Sequence, residues 1–532
     1  MQILHLFLSL FAVLPGSMML IAALLAPSPF IIRGSNTGAA WKLFSRLALA
    51  ALLAALAAPL LHLLSSLQGT AGNAVQPQYL PGVIVTPFGA WFAVLVQFLG
   101  TVIGAFSARY LYGEPGQARY ITALATVLAA VHVLLLANHW LVLILAWAMV
   151  GEALQRLLGF YPERPFALLA AHKKRIADRL ADGMLLAAAA LAWYDVGSGS
   201  FDALWRHLEG GNASVPLQLA AAGLVLAVIL RTALLPVHGW LMQVMEAPTP
   251  VSALLHAGVI NLGGFVLIRF APLLDAAPAA RWILAGAGLL TALLAGLAML
   301  TRISIKVRLA WSTCAQMGFM VLECGLGLYT LAALHLIGHS LYKAHAFLAS
   351  SSVVQQTRRD RMRGASGVSA GSAVAAPFVA AAIITPLLML ANLPWWWSGV
   401  LAFAWAPLLW LPGTQPRGEA AWQALAGVAM VAGLSLLMAC AHKLPLGLHD
   451  APRDGAGLVA LLGMGVMYLS VVALRLHPQG MEAWRRWSYA GFHVDETYTR
   501  LALRLWPGRW MPAASVIARA LDSASPATSS SR

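Results

Sequence analysis

The sequence predicts an all-α polytopic membrane protein of about 14–15 transmembrane helices. Three observations carry that reading. Charged residues make up 10% of the 532 residues and hydrophobic ones 60%, against about 25% charged residues in soluble domains; mean hydropathy is +0.77. Apolar runs of roughly 20 residues, each enough to cross about 30 Å of hydrocarbon, recur along the whole length. Lys and Arg gather in the short stretches between those runs. The net charge of +15 therefore follows from the positive-inside rule and calls for no nucleic acid.

Taken in order, residues 3–25 form an apolar run with no basic n-region and no small-residue cleavage pattern, which makes them a first span rather than a signal peptide. Span two covers 43–66, and the loop 68–79 is uncharged. Span three, 82–106, ends near Arg109; spans four and five follow at 117–137 and 139–160. A basic loop over 163–175 leads to span six, with Arg179 and Asp182 at its entrance. Residues 198–215 are polar and read as a loop or surface helix. Span seven starts at Pro216 and is broken at Pro236, because proline removes a backbone donor and breaks helices. Spans eight to eleven cover 250–271, 281–301, 305–326 and 328–352; the tenth carries Gln316 and Glu323, the eleventh His335, His339, Lys343 and His345. Arg358, Arg359, Arg361 and Arg363 mark a polar linker. No charge follows from Gly364 to Pro416, where two spans are expected, with Pro386 inside the first and an aromatic belt at Trp395 to Trp397. Spans at 420–441 and 456–475 precede a basic amphipathic tail whose last ten residues are expected to be disordered.

Basic residues follow the odd-numbered spans: Arg33 and Lys42, Arg109 and Arg119, Lys173 to Arg175, Lys306 and Arg308, and the arginines from 358 to 363. That bias places the N-terminus outside and the C-terminal tail in the cytoplasm. Pro236 and Pro386 stand 150 residues apart, each in the fourth span of a five-span block. Paired breaks of this kind point to inverted repeats with sites near the midplane. The expected organisation is N-terminal helices over 1–110, a first five-helix repeat over 111–271, a second over 272–413, C-terminal helices over 414–476 and the tail over 477–532.

Ionisable residues at membrane depth are costly and are functional candidates by default. Glu152 lies inside span five, with Arg156 one helical turn away, and Arg179 and Asp182 stand where they can close a network with it. Arg231 and His238 flank the break at Pro236, and His256 follows Ser252 by one turn. His335, His339 and Lys343 recur every four residues, which spreads them over roughly 80° of one helix face. Two histidines so spaced can bind a metal, but Lys343 on the same stripe repels a cation, and a proton relay is the better reading. Cys314, Cys324 and Cys440 lie in apolar runs without a CxxC pattern. No phosphate-binding glycine loop, nucleophile elbow or metal triad is present, so transport is expected rather than catalysis by this chain.

Three ordered segments, RTALLPVHGWLMQVMEAPTPVSALLHA, IKVRLAWSTCAQMGFM and LHLIGHSLYKAHAFLASSSVV, resemble the antiporter-like membrane subunits of respiratory complex I and of Mrp cation/proton antiporters over about residues 85–400. The stretch LQRLLGFYPERPFALLAAHKKRIADRLAD and the tail HVDETYTRLALRLWP are similar to the DabB-type membrane subunits of DAB inorganic carbon transporters. By that resemblance Glu152 takes the place of the family's key glutamate, Lys343 that of its central lysine with His335 and His339 as relay partners, and Arg179 and Asp182 are supporting charges. Arg231 stands where the family has a lysine, and 364–416 lacks the charged residue of the second broken helix. The resemblance implies a proton path of Glu152, His256, His335, His339 and Lys343, supported by Arg179, Asp182 and Arg231, in a bacterial inner membrane. It also implies a large zinc-containing DabA-like, carbonic-anhydrase-like cytoplasmic partner, with no cofactor in this chain. The alternatives are a proton-pumping subunit of a quinone-linked NADH dehydrogenase or hydrogenase, and an Mrp-type antiporter.

Overall fold

A chain this apolar satisfies its backbone in lipid by closing hydrogen bonds inside each segment. The computed structural model accordingly consists of helices and three isolated backbone bridges across its described residues, 2–28, 37–67, 81–211, 213–350, 367–413, 417–477 and 479–507. Arg33, the loop 68–79, the arginines between 358 and 363 and the last ten residues lie outside these.

Helices α1 (Gln2–Leu25), α2 (Gly38–Leu67), α3 (Pro87–Tyr110), α4 (Gln117–Leu136) and α5 (Trp140–Leu158) pack as neighbours in one apolar core. Helix α3 starts where it does because the Thr86 hydroxyl accepts the Gly89 N–H and Pro87 occupies the first turn. Residues 163–175 are not a basic loop: from Pro165 the chain forms one 32-residue helix, α6 (Pro165–Val196). Proline fits its first turn, and the Ala, Leu, Lys and Arg that follow are strong helix formers. It stops at Gly197, which takes a φ of 73°. Lys173 and Lys174 are thereby carried inside the protein. The polar stretch after α6 holds the short helix α7 (Phe201–Glu209).

Helix α8 (Val215–Arg231) ends at the expected break, and the chain resumes as α9 (Gly239–Gln243). The backbone groups freed there find partners from other helices: the Leu235 N–H donates to Thr291 Oγ1 at 3.3 Å, and the Ala233 carbonyl accepts from Cys314 Sγ at 3.4 Å. The next crossing is also interrupted, as α10 (Thr249–Ala257) and α11 (Leu262–Arg269), followed by the short α12 (Ala271–Asp275). Helices α13 (Pro278–Thr301) and α14 (Ile305–Leu326) meet backbone to backbone. A Cβ added at Gly288 would lie 2.6 Å from the Leu322 nitrogen, and one at Gly318 2.6 Å from the Ala292 nitrogen. Small residues that permit such approach are what helix pairs use in lipid, where apolar burial itself provides no drive. Helix α15 (Tyr329–Leu348) closes this group.

The second expected break falls elsewhere. Helix α16 (Ala370–Met389) runs through both Pro377 and Pro386, and the chain turns only at 390–394, where Asn392 has a φ of 56° and Pro394 precedes α17 (Trp395–Trp405). The hairpin is closed by the Ser369 N–H to Leu411 and the Gly413 N–H to Gly367. Two long helices follow, α18 (Arg417–His442) and α19 (Asp454–Leu476), then the tail helices α20 (Glu482–Tyr489) and α21 (Val494–Leu505).

Among the described residues ten helices are long and apolar enough to cross a membrane. Five more stretches pack in the same bundle without meeting that standard. Helices α6, α14 and α15 carry lysines, arginines, acids or histidines along their length, and α8 and α17 have 17 and 11 residues. The protein is a multi-pass membrane protein.

Basic turns meet at one end of the bundle. Arg164 Nη1 donates to the Glu246 carbonyl at 2.9 Å, Lys306 Nζ to Thr249 Oγ1 at 3.1 Å, and the Arg302 guanidinium stands 5.1 Å from the Tyr489 ring of the tail. Helix α21 is seated there as well. Lys173 Nζ donates to Asp495 Oδ1 at 2.6 Å and to Thr499 Oγ1 at 2.7 Å, while the Tyr498 hydroxyl donates to the Lys173 carbonyl at 2.8 Å. Burial pushes the Tyr498 phenol up, with Asp495 and Asp178 adding to it. Asp495 also lies against the first residue of α9: a Cβ on Gly239 would overlap its carboxylate. Asp495→Ala is expected to leave the buried Lys173 amine without its carboxylate, costing about 2 kcal/mol of docking, or about 30-fold in the population of the released tail. Limited proteolysis of the tail in detergent checks this; equal cleavage rates in both proteins would show that the contact does not hold it.

Candidate functional site

The sequence-derived candidates fall into two groups, with His256 between them. The first is a continuous chain of ions. Arg179 Nη2 of α6 donates to Glu152 Oε1 of α5, Arg179 Nη1 lies 3.5 Å from Asp182 Oδ2, and Arg231 Nη2 at the end of α8 donates to Asp182 Oδ1. Arg231 Nη1 also donates to the Trp147 carbonyl at 2.8 Å, and its guanidinium stands 4.7 Å from the Trp147 ring centre. Side-chain exposure falls along the series, from 53% at Glu152 and 59% at Arg179 to 15% at Asp182 and 4% at Arg231. The chain of charges therefore leads from the flank of the bundle to its interior. Glu152 pairs across to the antiparallel α6 rather than with Arg156 on its own helix.

The second group lies on α14 and α15. His335 Nδ1 is 2.8 Å from Glu323 Oε2, and the rings of His335 and His339 are 6.2 Å apart. Lys343, fully buried, donates from Nζ to the Leu309 carbonyl at 3.0 Å. With a rise of 1.5 Å per residue, His335 to Lys343 spans about 12 Å along the helix. Glu323, His335, His339 and Lys343 all line a cavity of about 920 Å³ beneath Trp397 and Trp405.

His256 on α10 is fully buried and stacks on Phe347 of α15, with ring centres 4.4 Å apart. Among the described residues neither ring nitrogen of His256 or of His339 has a protein hydrogen-bond partner. Buried polar atoms of this kind are met by water. His238, 5.0 Å from Trp311, is buried beside the break but joins neither group.

Comparison with known proteins fixes the family. The model of the NADH:quinone oxidoreductase/Mrp antiporter transmembrane family matches residues 137–406, the stretch holding both groups. The chain belongs to this family. It is 39% identical to the "Probable inorganic carbon transporter subunit DabB" of Hydrogenovibrio crunogenus over 81% of this chain and 86% of that protein. It is 47% identical to "Probable inorganic carbon transporter subunit DabB2" of Halothiobacillus neapolitanus over 51% of this chain and 49% of that one. A chain of the Mrp complex from Dietzia sp. shares the fold with a TM-score of 0.55 at 23% identity, covering 97% of this chain and 59% of that one. The protein is thus an antiporter-like membrane subunit.

The sequence reading placed Glu323 in its span but not in the site. Its signal was the spacing from Gln316: seven residues, two helical turns, put both on the face that lines the cavity. Lys174 and Asp178 belong beside the site too: the basic stretch 163–175 suggests a loop from sequence, but as part of α6 it sets them as a pair one turn from Arg179 and Asp182. Arg231 provides a structural test. Asp182→Leu alone is expected to cost about 3–5 kcal/mol, because it leaves a guanidinium buried without its carboxylate, whereas Asp182→Leu with Arg231→Met costs less than either single change. Unfolding of the four proteins in detergent measures the coupling. Additive losses would mean the two side chains do not depend on each other.

Proposed function

We propose that this chain is the proton-conducting, energy-coupling subunit of an inorganic carbon uptake complex, working with a zinc-containing, carbonic-anhydrase-like partner docked on its cytoplasmic face. The observation that carries the proton path is the file of Glu323, His335, His339 and Lys343 along one large cavity, together with ring nitrogens of His339 and of the buried His256 that have no protein hydrogen-bond partner among the described residues. Imidazole changes charge near neutral pH, and a lysine in an apolar setting can exchange its proton readily. A proton can therefore pass along groups spaced by about one helical turn, with water between those that do not touch. The inorganic carbon role draws on the relatives' names and on the similarity to them across most of the chain.

In this reading the N-terminus is outside a bacterial inner membrane and the tail is cytoplasmic, the side to which basic turns are drawn. Proton flow through the membrane subunit would make CO2 hydration by the partner one-way, so that bicarbonate accumulates. Any zinc belongs to the partner. The family match also favours a second reading, a proton-pumping subunit of a quinone-linked redox complex.

Growth of a carbonic-anhydrase-deficient bacterium in ordinary air separates the two. The chain and its large partner expressed together are expected to restore growth, neither alone is, and an uncoupler abolishes the effect. Lys343→Ala is expected to abolish rescue while the protein stays in the membrane. Failure of the pair to rescue, with both in the membrane, would move the assignment to a redox complex; full rescue by Lys343→Ala would remove the relay.

A further inference from the structure

We propose that Lys174 is the residue that takes up and releases the proton in the first half of the path, an inference that rests on the proton-conducting reading above. The ion chain leading inward from Glu152 ends at Arg231, and a guanidinium does not give up its proton in a protein. Something else at that depth has to exchange it.

Lys174 lies there. It is buried, its Nζ donates to Asp178 one turn along α6, and it stands 5.5 Å from the ring centre of Trp240 on α9, just past the break. Lys174, Asp178 and Arg231 line one small cavity together with Trp240, Leu255 and Gly263. At about 10 Å³, the cavity has room for about one water molecule, and its polar lining offers that water several partners. Leu255 is the neighbour of His256, so the far wall of the cavity is the helix that carries the inner histidine. Gly151 gives the space for this arrangement: a Cβ there would lie 3.0 Å from Asp178 Oδ2.

Charge accounting explains why the proton moves on. The ions gathered here are Glu152, Asp182, Arg179 and Arg231 in one chain and Lys174 with Asp178 as a separate pair that shares a cavity with Arg231, three of each sign in all. When the Lys174 ammonium passes one proton to water in the cavity it becomes a neutral amine, and the cluster carries one unbalanced negative charge. An uncompensated charge in a low-dielectric interior is costly, so the next proton arriving from the Glu152 end is drawn to the amine. Arg231 and Arg179 hold Glu152 and Asp182 in place through the cycle, and Lys174 alone among the three cations changes state.

Lys174→Arg separates this role from a structural one, since arginine keeps the charge, the length and the pairing with Asp178. Proteoliposomes holding the chain with its partner and an internal pH-sensitive dye are expected to show proton entry reduced about a hundredfold, the lower range of what a positioned proton-transfer group contributes. Should Lys174→Arg fail to accumulate in the membrane, the pair Lys174→Gln with Asp178→Asn removes both charges while keeping a hydrogen bond, and the same loss is expected. Unchanged proton entry in either folded variant overturns the assignment and leaves the proton path standing. Absence of proton entry in the unaltered protein overturns the path, and Lys174 with it.

Discussion

A guanidinium 4% exposed at the end of an apolar helix of the bundle is held by Asp182 and by the Trp147 carbonyl. Neither lipid nor apolar packing could replace those partners, because an unpaired ion at that depth costs several kcal/mol. The same constraint recurs at other buried charges among the described residues. Lys173 is closed by the tail, Lys174 by Asp178, Lys343 by the Leu309 carbonyl, and Glu323 by His335. These pairings fix which helices touch. Helices α5, α6 and α8 meet through one ion chain, and α14 and α15 face each other through an acid and an imidazole. The broken crossings supply the ends of helices at which such groups can be met without leaving the interior.

Much of the fold was legible because lipid writes its demand as length and apolarity. The runs read from hydropathy appear as helices, and Pro236 marks a true break because α8 stops at Arg231 and α9 begins only at Gly239. Proline alone did not decide the second break. Pro386 sits inside α16, and the turn comes later, where Asn392 adopts a left-handed conformation and Pro394 starts the next helix. Nothing in the hydropathy pattern separates a proline tolerated in a membrane helix from one that ends it.

The site was legible in part for a related reason. His335, His339 and Lys343 share a helix face by spacing alone, and that spacing needs no tertiary information. Lys173 and Lys174 read as loop charges because the groups that neutralise them need tertiary information or a helix to be seen: Asp178 meets Lys174 only because four residues make one helical turn, and Asp495 is 322 residues from Lys173. The basic tail therefore also supplies a carboxylate that accepts from a buried lysine, seated on the first turn of α9. This contact ties the end of the chain to the broken helix, so the face that carries the tail and the interior charges share one set of contacts.

The proposed coupling between a proton file and carbon uptake is measured most directly by recording both in one vesicle. The chain with its partner would be reconstituted with an internal pH dye, supplied with labelled inorganic carbon, and driven by an imposed pH difference. If the two are coupled, carbon accumulates only while protons enter, and Lys343→Ala stops both together. Labelled carbon accumulating at full rate without proton entry, or in the Lys343→Ala protein, would contradict that coupling.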